Sequence, residues 1–206
     1  MIRAGLLLAL WLPLVALAQA AQEPALAEVS AQLERPAVVR GEFEQAKQIA
    51  GLSRPLVSRG RFVVASGQGV LWDTLEPFPQ QLRISAAGVR AAGPDEGSQQ
   101  TLVGGDAGSA ARELNRVLGA VFEADLEVLG GYFRVQCEPV DGAWRLRLEP
   151  RAAALARVFS GITLQGDRLV ESIELREANG DTTRIRFAST VTGSELTQAE
   201  RDALAP

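Results

Sequence analysis

The sequence predicts a mainly β protein with helices, in which the strands form an antiparallel sheet. Three observations support this fold class. Many short runs alternate apolar and polar residues, which is typical of half-buried strands. Gly and Pro clusters separate these runs, and Asp141-Gly142 and Asn179-Gly180 are strong hairpin signals. One long mid-chain segment has its apolar residues at helical spacing instead.

The alternating runs predict some nine to eleven strands. They centre on residues 39–45, 61–64, 70–72, 81–84, 133–137, 144–148, 162–164, 173–175 and 183–187. A further short strand is expected at residues 101–103, inside the otherwise loop-like stretch 91–108. Because the strands are apolar on one side and the helices are too few to cover them, the sheet must curl on itself or pack against a second sheet.

Helical periodicity occurs at both ends of the first strand block. Leu26, Val29 and Leu33 predict a short amphipathic helix over residues 24–34, which Pro36 ends. Shorter helical turns are expected over residues 125–129, closed by Gly130-Gly131, and over residues 152–159. The best helical pattern lies over residues 109–122. Its apolar stripe consists of Leu114, Val117, Leu118, Val121 and Phe122. This helix either covers the apolar face as a lid or packs on an ordinary filled core, and periodicity does not separate the two.

The first twenty residues have the three parts of a secretory signal. Arg3 precedes the apolar run from Leu6 to Leu17, and Ala18-Gln19-Ala20 is an A-x-A cleavage site. A membrane anchor is the alternative, but the uncharged stretch is shorter than the roughly 20 apolar residues of a span. We therefore expect residues 1–20 to be a cleaved signal peptide and residues 21–206 to form one exported domain.

The composition restricts the chemistry that the chain can perform. It has no histidine, which excludes a Ser-His-Asp or Cys-His pair and an imidazole zinc site. Cys137 is the only cysteine, so it has no partner for an internal disulfide, and its place in a strand pattern favours an apolar packing role. No catalytic residue, metal site or cofactor is expected.

The net charge of the chain indicates which classes of binding partner are disfavoured. Removal of residues 1–20 would take the formal charge from −4 to −5. This mild acidity argues against nucleic acid, or an anionic membrane surface, as the main partner.

Three short patterns occur in order behind the predicted signal. The first is Gly41-Glu42-Phe43-Glu44-Gln45, and the second is Gly60-Arg61-Phe62 followed by Leu71-Trp72. The third combines Ile162-Thr163-Leu164 and residues 169–175 with Asn179-Gly180-Asp181-Thr182-Thr183-Arg184-Ile185. Together they resemble the LolA family, the periplasmic carriers of outer-membrane lipoproteins. In that family they correspond to an F-x-Q strand, a glycine strand leading to a tryptophan, and a closing D-x-x-G-x-x-T-x-I hairpin.

The resemblance implies an unclosed antiparallel β-barrel with an α-helical lid over a hydrophobic cavity that accepts acyl chains. It implies a non-enzymatic, monomeric periplasmic carrier of an acylated lipoprotein or other amphiphilic lipid. An inner-membrane release complex and an outer-membrane acceptor would be its partners. The expected cavity residues are Phe43, Phe62, Val64, Trp72, Leu82, Ile84, Phe133, Val135, Leu146, Leu148, Ile173 and Leu175. The expected lid residues are Leu114, Val117, Leu118, Val121 and Phe122.

The sequence departs from the family pattern in two places. The family usually has an Arg-Pro pair between the glycine strand and the tryptophan, and Ser66-Gly67 stand there in this chain. Since that arginine helps to hold the lid closed in the family, the lid must be held differently here. The tail after Val191 is also short and lacks a family-like F-x-F strand. These departures suggest a divergent member and leave open a glycolipid or polyene lipid as its cargo.

Two other functions remain open at this point. One is a sensor or partner-binding module of the cell envelope, because a half-barrel with a lid also suits that role. The other is an envelope hydrolase that uses the carboxylates of Glu42 and Glu44. These two residues lie two apart on one strand, whereas glycosidase carboxylates usually come from different elements, so a solvated strand face is the better interpretation.

Overall fold

The computed structural model describes residues 25–85, 88–93, 99–103, 116–117, 119–140 and 142–205, with only the backbone of residues 99–103 and 139. Within these residues, eleven strands form one antiparallel sheet. The strands are β1 (Val38–Gln48), β2 (Leu56–Ala65), β3 (Gly69–Glu76), β4 (Gln80–Ser85), β5 (Gly88–Ala92), β6 (Gln99–Val103), β7 (Phe133–Val140), β8 (Ala143–Pro150), β9 (Phe159–Gly166), β10 (Val170–Glu177) and β11 (Thr182–Gly193).

Five helical segments accompany the sheet in the described part of the chain. They are α1 (residues 25–32), α2 (residues 116–117 and 119–123), α3 (Leu126–Tyr132), α4 (Ala153–Ala156) and α5 (Gln198–Leu204). None of the helices in these residues is both long and apolar enough to cross a membrane.

The strands follow the order β6-β5-β4-β3-β2-β1-β11-β10-β9-β8-β7. Every step in this order is a hairpin neighbour except the pair β1 and β11, which joins the two halves of the chain over a register from Val38↔Gly193 to Gln48↔Thr182. The terminal strands β6 and β7 do not pair with each other over the described residues, so the sheet is not closed. The predicted mainly β, unclosed half-barrel is therefore confirmed.

The sheet curves around a single core on its inner face. Val89 of β5 and Phe133 of β7 belong to the same cluster of buried residues, together with Leu129 of α3. In a flat sheet, nine strand spacings would separate β5 from β7 by about 40 Å. The two ends of the sheet can share this core only because the sheet curls and helical segments fill the space between them.

Two glycines allow aromatic rings to lie flat on the inner face. Gly41 is the register partner of Phe62, and Gly60 is the register partner of Phe43. A Cβ atom on Gly41 would lie 2.8 Å from the Phe62 ring, and one on Gly60 would lie 2.8 Å from the Phe43 ring. Each ring thus occupies the place of the missing side chain on the neighbouring strand, which explains the spacing of both Gly-x-Phe patterns.

A smaller cluster lies on the outer face and holds the C-terminal helix. Leu196 is buried there against Val38 and Ala65, and Leu204 of α5 packs beside them. Arg40 of β1 donates to both carboxylate oxygens of Glu200, with Nε to Oε1 at 2.7 Å and Nη2 to Oε2 at 2.6 Å.

The start of α5 is closed by a capping box. The Thr197 hydroxyl accepts from the Glu200 N–H, and the Glu200 carboxylate accepts from the Thr197 N–H. The hydrogen bond from Arg40, together with those from Thr197, lowers the pKa of Glu200 from 4.5 to about 2.

Most of the predicted strands are confirmed, including the short one at residues 101–103, and so is the helix before Pro36 over its described residues. Strand β5 was not predicted, because residues 91–92 lie in the loop-like stretch 91–108 and residues 88–90 are too few to show alternation. The expectation that Gly130-Gly131 close the helix after Asp125 is wrong. Asp125 caps that helix, which continues to Tyr132. Helix α5 was also missed.

Replacement of Gly60 by alanine is expected to lower the free energy of unfolding by about 1–3 kcal/mol. The added Cβ would lie 1.9 Å from the Asp73 carbonyl oxygen, so the β2–β3 pairing must shift. Gly130→Ala is the matched control, because nothing lies within 4 Å of that position and alanine favours a helix. Urea unfolding monitored by circular dichroism measures both variants, and a Gly60→Ala protein as stable as wild type contradicts the steric argument.

Replacement of Glu200 by glutamine is expected to reduce the acid sensitivity of folding. Because the folded-state pKa is about 2 rather than 4.5, the ionised carboxylate stabilises the fold fully above pH 4.5. That stabilisation is lost as the pH falls from 4.5 toward 2. Denaturant unfolding at a series of pH values should therefore show a shallower decline for Glu200→Gln in this window.

The matched control is Glu195→Gln. Arg40 Nη2 donates to the backbone carbonyl oxygen of Glu195 at 2.9 Å, so this substitution leaves the hydrogen bond in place. This variant should keep the wild-type pH profile. Equal profiles for wild type and Glu200→Gln would show that the Arg40 contact does not stabilise α5.

Candidate functional site

All twelve residues predicted to line a cavity belong to the single apolar cluster on the inner face. The buried members are Phe43, Phe62, Val64, Ile84, Phe133, Leu146, Leu148 and Ile173. The partly buried members are Trp72, Leu82, Val135 and Leu175. The alternation of each strand turns these side chains inward and sends the charged neighbours outward.

The described lid residues contact the same cluster. Val121 is buried in it, and Val117 and Phe122 are partly buried and pack against it. Leu114 and Leu118 lie outside the described residues. The described part of this apolar stripe therefore faces the concave side of the sheet.

An aromatic cluster forms the centre of the contact between α2 and the sheet. The Phe43 and Trp72 rings are stacked with centroids 3.8 Å apart, and Phe122 of α2 lies 6.0 Å from Trp72. Phe187 of β11 lies 5.8 Å from Phe122 and 4.8 Å from Phe62. Offset and edge contacts of this kind add about 0.5–1.5 kcal/mol per pair beyond burial.

Phe187 was not among the predicted cavity residues, although it completes this cluster. It is the register partner of Phe43, which places the two rings on the same face of adjacent strands. The alternation of Thr183, Ile185 and Phe187 was the signal that could have found it. Val39 of β1 was missed in the same way and also packs against the core.

A narrow cleft opens beside the aromatic cluster. It lies between the residues after α1, the end of α2 and strands β1, β2, β10 and β11. Its lining consists of Leu33, Glu34, Arg35, Pro36, Val39, Phe62, Val64, Ser66, Phe122, Glu123, Leu169, Val170 and Phe187. The enclosed space is about 30 Å³, which suffices for about two water molecules. The walls are mainly apolar, and the charged groups lie at the lip.

Glu123 lies where this cleft meets a second, more polar depression of about 400 Å³. Burial is the main cause that raises the pKa of Glu123, and Asp125 raises it further. The Ser66 hydroxyl and the positive charge of Arg35 act in the opposite direction. The lip of the cleft therefore has a carboxyl group whose ionisation burial disfavours, at the residue that follows Phe122 in the sequence.

Ser66 stands at the place where the related family has its arginine. It lies in the β2–β3 turn, where its N–H donates to the Ala37 carbonyl at 2.9 Å and Gly67 adopts φ +68°. Arg35, which comes from the segment after α1, lies near Glu123 and favours its ionised form. That the lid is held differently in the absence of the family arginine stays a prediction.

The carboxylates of Glu42 and Glu44 do not face the cleft. Both lie on the outer side of β1, where Glu42 accepts from the Ser189 hydroxyl at 3.3 Å and Glu44 pairs with Arg59 at 2.7 Å. Cys137 is partly buried in β7, and burial raises the pKa of its thiol. A protonated, partly buried thiol suits packing better than nucleophilic attack.

Comparison with known proteins gives a family match over most of the chain. Residues 18–204 match the family described as outer membrane lipoprotein carrier protein LolA-like. No curated protein sequence matches the chain.

Three solved structures show a distant likeness. A LolA superfamily protein of Nitrosomonas europaea is 10% identical with a TM-score of 0.48, over 86% of this chain and 96% of its own. A DUF1329 family protein of Desulfovibrio piger is 13% identical with a TM-score of 0.49, over 91% and 99%. A chain of the MucA/MucB complex of Pseudomonas aeruginosa is 19% identical with a TM-score of 0.40, over 89% and 60%. With identities and scores this low, the family assignment rests on the family match.

Replacement of Glu123 by glutamine is expected to stabilise the protein at neutral pH. Because the folded-state pKa is raised above 4.5, ionisation opposes folding, and this cost is complete above the folded-state pKa and absent below 4.5. The Glu123→Gln protein should therefore unfold at a higher urea concentration than wild type at pH 7, and the difference should shrink as the pH falls toward 4.5. Glu171→Gln, an exposed change on β10, should leave the midpoint unchanged. A Glu123→Gln protein that is less stable at pH 7 would show that the Arg35 charge outweighs burial.

Proposed function

Since the chain belongs to the family of LolA-like outer membrane lipoprotein carrier proteins, we propose that it shelters the acyl chains of a lipoprotein or related lipid in the periplasm. The observation that supports this most is the contact between α2 and the inner face of an open sheet. Phe122 reaches the Trp72 ring there, directly beside the cleft. The carrier acts without catalysis and as a monomer, after removal of residues 1–20.

Cargo binding requires α2 to move away from the sheet. The cleft holds about 30 Å³, whereas ligand pockets usually measure about 300–1,000 Å³. An acyl chain that replaces Phe122 and Val121 on the inner face would make apolar contacts in their place. Each methylene group that it buries contributes about 0.8 kcal/mol to the free energy of binding. The helix and the cargo thus compete for the same surface, which makes binding reversible.

The charged lip is suited to the polar part of an amphiphile. Glu123, Arg35 and Ser66 border the apolar walls, and the adjoining depression of about 400 Å³ also contains Arg116 and Asp125. An acyl chain in the cleft would leave its headgroup or peptide in this wetter space. Delivery to an outer-membrane acceptor, after release from an inner-membrane complex, then needs only the return of α2 to the sheet.

Quenching by a brominated fatty acid tests where the acyl chain lies. In the exported protein, Trp144→Phe leaves Trp72 as the fluorescent reporter, and Trp72→Phe leaves Trp144. We expect saturable quenching of Trp72, because its ring contacts the cleft residues Phe62, Phe122 and Phe187. Trp144 should be quenched much less, because it is buried and donates to the Asp167 carbonyl. Mass spectrometry of the protein purified from the periplasm should also detect bound lipid.

A matched pair of phenylalanines provides the control. Phe187→Ser removes a ring from the cleft wall and should weaken fatty-acid binding roughly tenfold, which corresponds to part of a buried side chain's contribution. Phe78→Ser removes a ring that is 80% exposed on the β3–β4 turn and should change affinity less than about twofold. Absence of copurified lipid together with no saturable quenching of Trp72 would refute the proposed function.

A further inference from the structure

A groove of about 350 Å³ runs over the outer face of β8 to β11, opposite the core. Its floor has polar side chains, which are Thr163 and Gln165 of β9 and Ser172 and Glu174 of β10. Its walls have long cationic side chains. They are Arg145 and Arg147 of β8 on one side and Arg184 and Arg186 of β11 on the other, with Arg176 at one end.

The strand register fixes this arrangement. Arg147 is the partner of Thr163, Thr163 of Glu174, and Glu174 of Arg184. The row therefore crosses all four strands, and the walls are three strand spacings apart, about 14 Å. The neighbours of these arginines along the strands, such as Leu146 and Ile185, are buried in the core. Because side chains alternate along a strand, the arginine side chains lie on the outer face.

Positive charge exceeds negative charge in the groove. In the described residues, two carboxylates form ion pairs with four guanidinium groups. The pairs are Arg145–Glu138 (3.6 Å), Arg147–Glu138 (2.9 Å), Arg176–Glu174 (3.5 Å) and Arg184–Glu174 (2.8 Å). Because a guanidinium has five N–H donors, each shared pair leaves donors unused. The Nε–H of Arg147 is buried without a hydrogen-bond partner among the described residues.

Arg186 adds a further charge to this excess. It forms no ion pair with any residue that the structure describes, and its register partner on β1 is Glu44. The Glu44 carboxylate instead accepts from Arg59, at 2.9 Å from Nε and 2.7 Å from Nη2. The whole chain carries a net charge of −4, so this basic groove is a local reversal of the overall sign.

We propose that this groove binds an extended acidic segment of a partner protein. Guanidinium groups match carboxylates geometrically and bind them through paired hydrogen bonds. Carboxylates at alternate residues of an extended segment repeat at about 6.8 Å, which is the spacing of Arg145 and Arg147 along β8. The recess between the arginine rows accommodates one such segment, with the hydroxyls of Thr163 and Ser172 beneath it.

The position of the groove favours a protein segment over a membrane surface. The groove and the cleft lie on opposite faces of the same sheet, since Phe62, Val64 and Phe122 line the cleft from inside. A bilayer against the groove would be separated from the cleft by the sheet. A bound protein segment leaves the cleft accessible, and the negative charge elsewhere on the chain disfavours other orientations.

Fluorescence anisotropy with a labelled oligoglutamate peptide tests the proposal. The purified protein should bind this peptide saturably at low salt, more weakly as salt rises, and an oligoglutamine peptide should not bind. Arg186→Gln should weaken binding about threefold and Arg145→Gln with Arg186→Gln about tenfold, in line with partly exposed charge pairs. Arg186→Lys keeps the charge and should lose less than Arg186→Gln.

The matched control is Arg61→Gln, which removes an exposed arginine from the outer side of β2, away from the groove. It should change affinity less than about twofold. Three results overturn the proposal: no saturable oligoglutamate binding at low salt, an equal loss in Arg61→Gln and Arg186→Gln, or binding to phosphatidylglycerol vesicles that depends on Arg145 and Arg186 while peptide binding does not.

Discussion

An open sheet with one apolar face must be covered, and this constraint shapes the rest of the molecule. Strands β6 and β7 do not pair within the described residues, so curling alone leaves the inner face incompletely closed. The gap is filled by short helical segments, which contribute Val29, Val121 and Leu129 to the core. Each segment is linked to the sheet mainly by side-chain packing rather than by a strand ladder. Such a cover can be replaced by other apolar groups without loss of the sheet's backbone hydrogen bonds, which the proposed carrier function requires.

The glycines of β1 and β2 determine the form of this face. Because Gly41 and Gly60 carry no side chain, the rings of Phe62 and Phe43 lie across the neighbouring strands instead of projecting into the interior. The flattened rings form a platform on which Trp72 stacks and against which α2 ends. Backbone spacing, aromatic contact and lid position are consequently coupled, and a change in strand pairing at either glycine would also move the wall of the cleft.

Much of the fold could be predicted from hydrophobic periodicity and from turn residues, and the elements that were predicted wrongly or not at all have physical causes. Strand β5 is short and built from Gly88, Val89, Arg90 and two alanines, so its alternation is too weak to identify, yet pairing with β4 orders it. Helix α3 continues through Gly130-Gly131 because Asp125 caps it and Leu129 is fully buried, and these contributions outweigh the low helix propensity of glycine. Helix α5 was signalled by Thr197 and Glu200, the two ends of a capping box. In the candidate site, the inward set could be predicted from alternation, Phe187 included. The place of Glu123 beside the cleft depends on the orientation of α2, which no local pattern contains.

The same alternation that builds the core also separates charge on the molecule. Each inward residue of β8 to β11 has a neighbour that must face outward, and the outward positions of β8 and β11 include two arginines in each strand. Within the described residues, Glu138 and Glu174 compensate for only part of this charge, and other acids, including Glu123 and Asp125, lie beside the cleft. A net charge of −4 therefore describes neither face. An acidic partner and an amphiphilic cargo would meet different sides of one sheet, so a bound partner can hold the protein while α2 and the cargo exchange places on the other side.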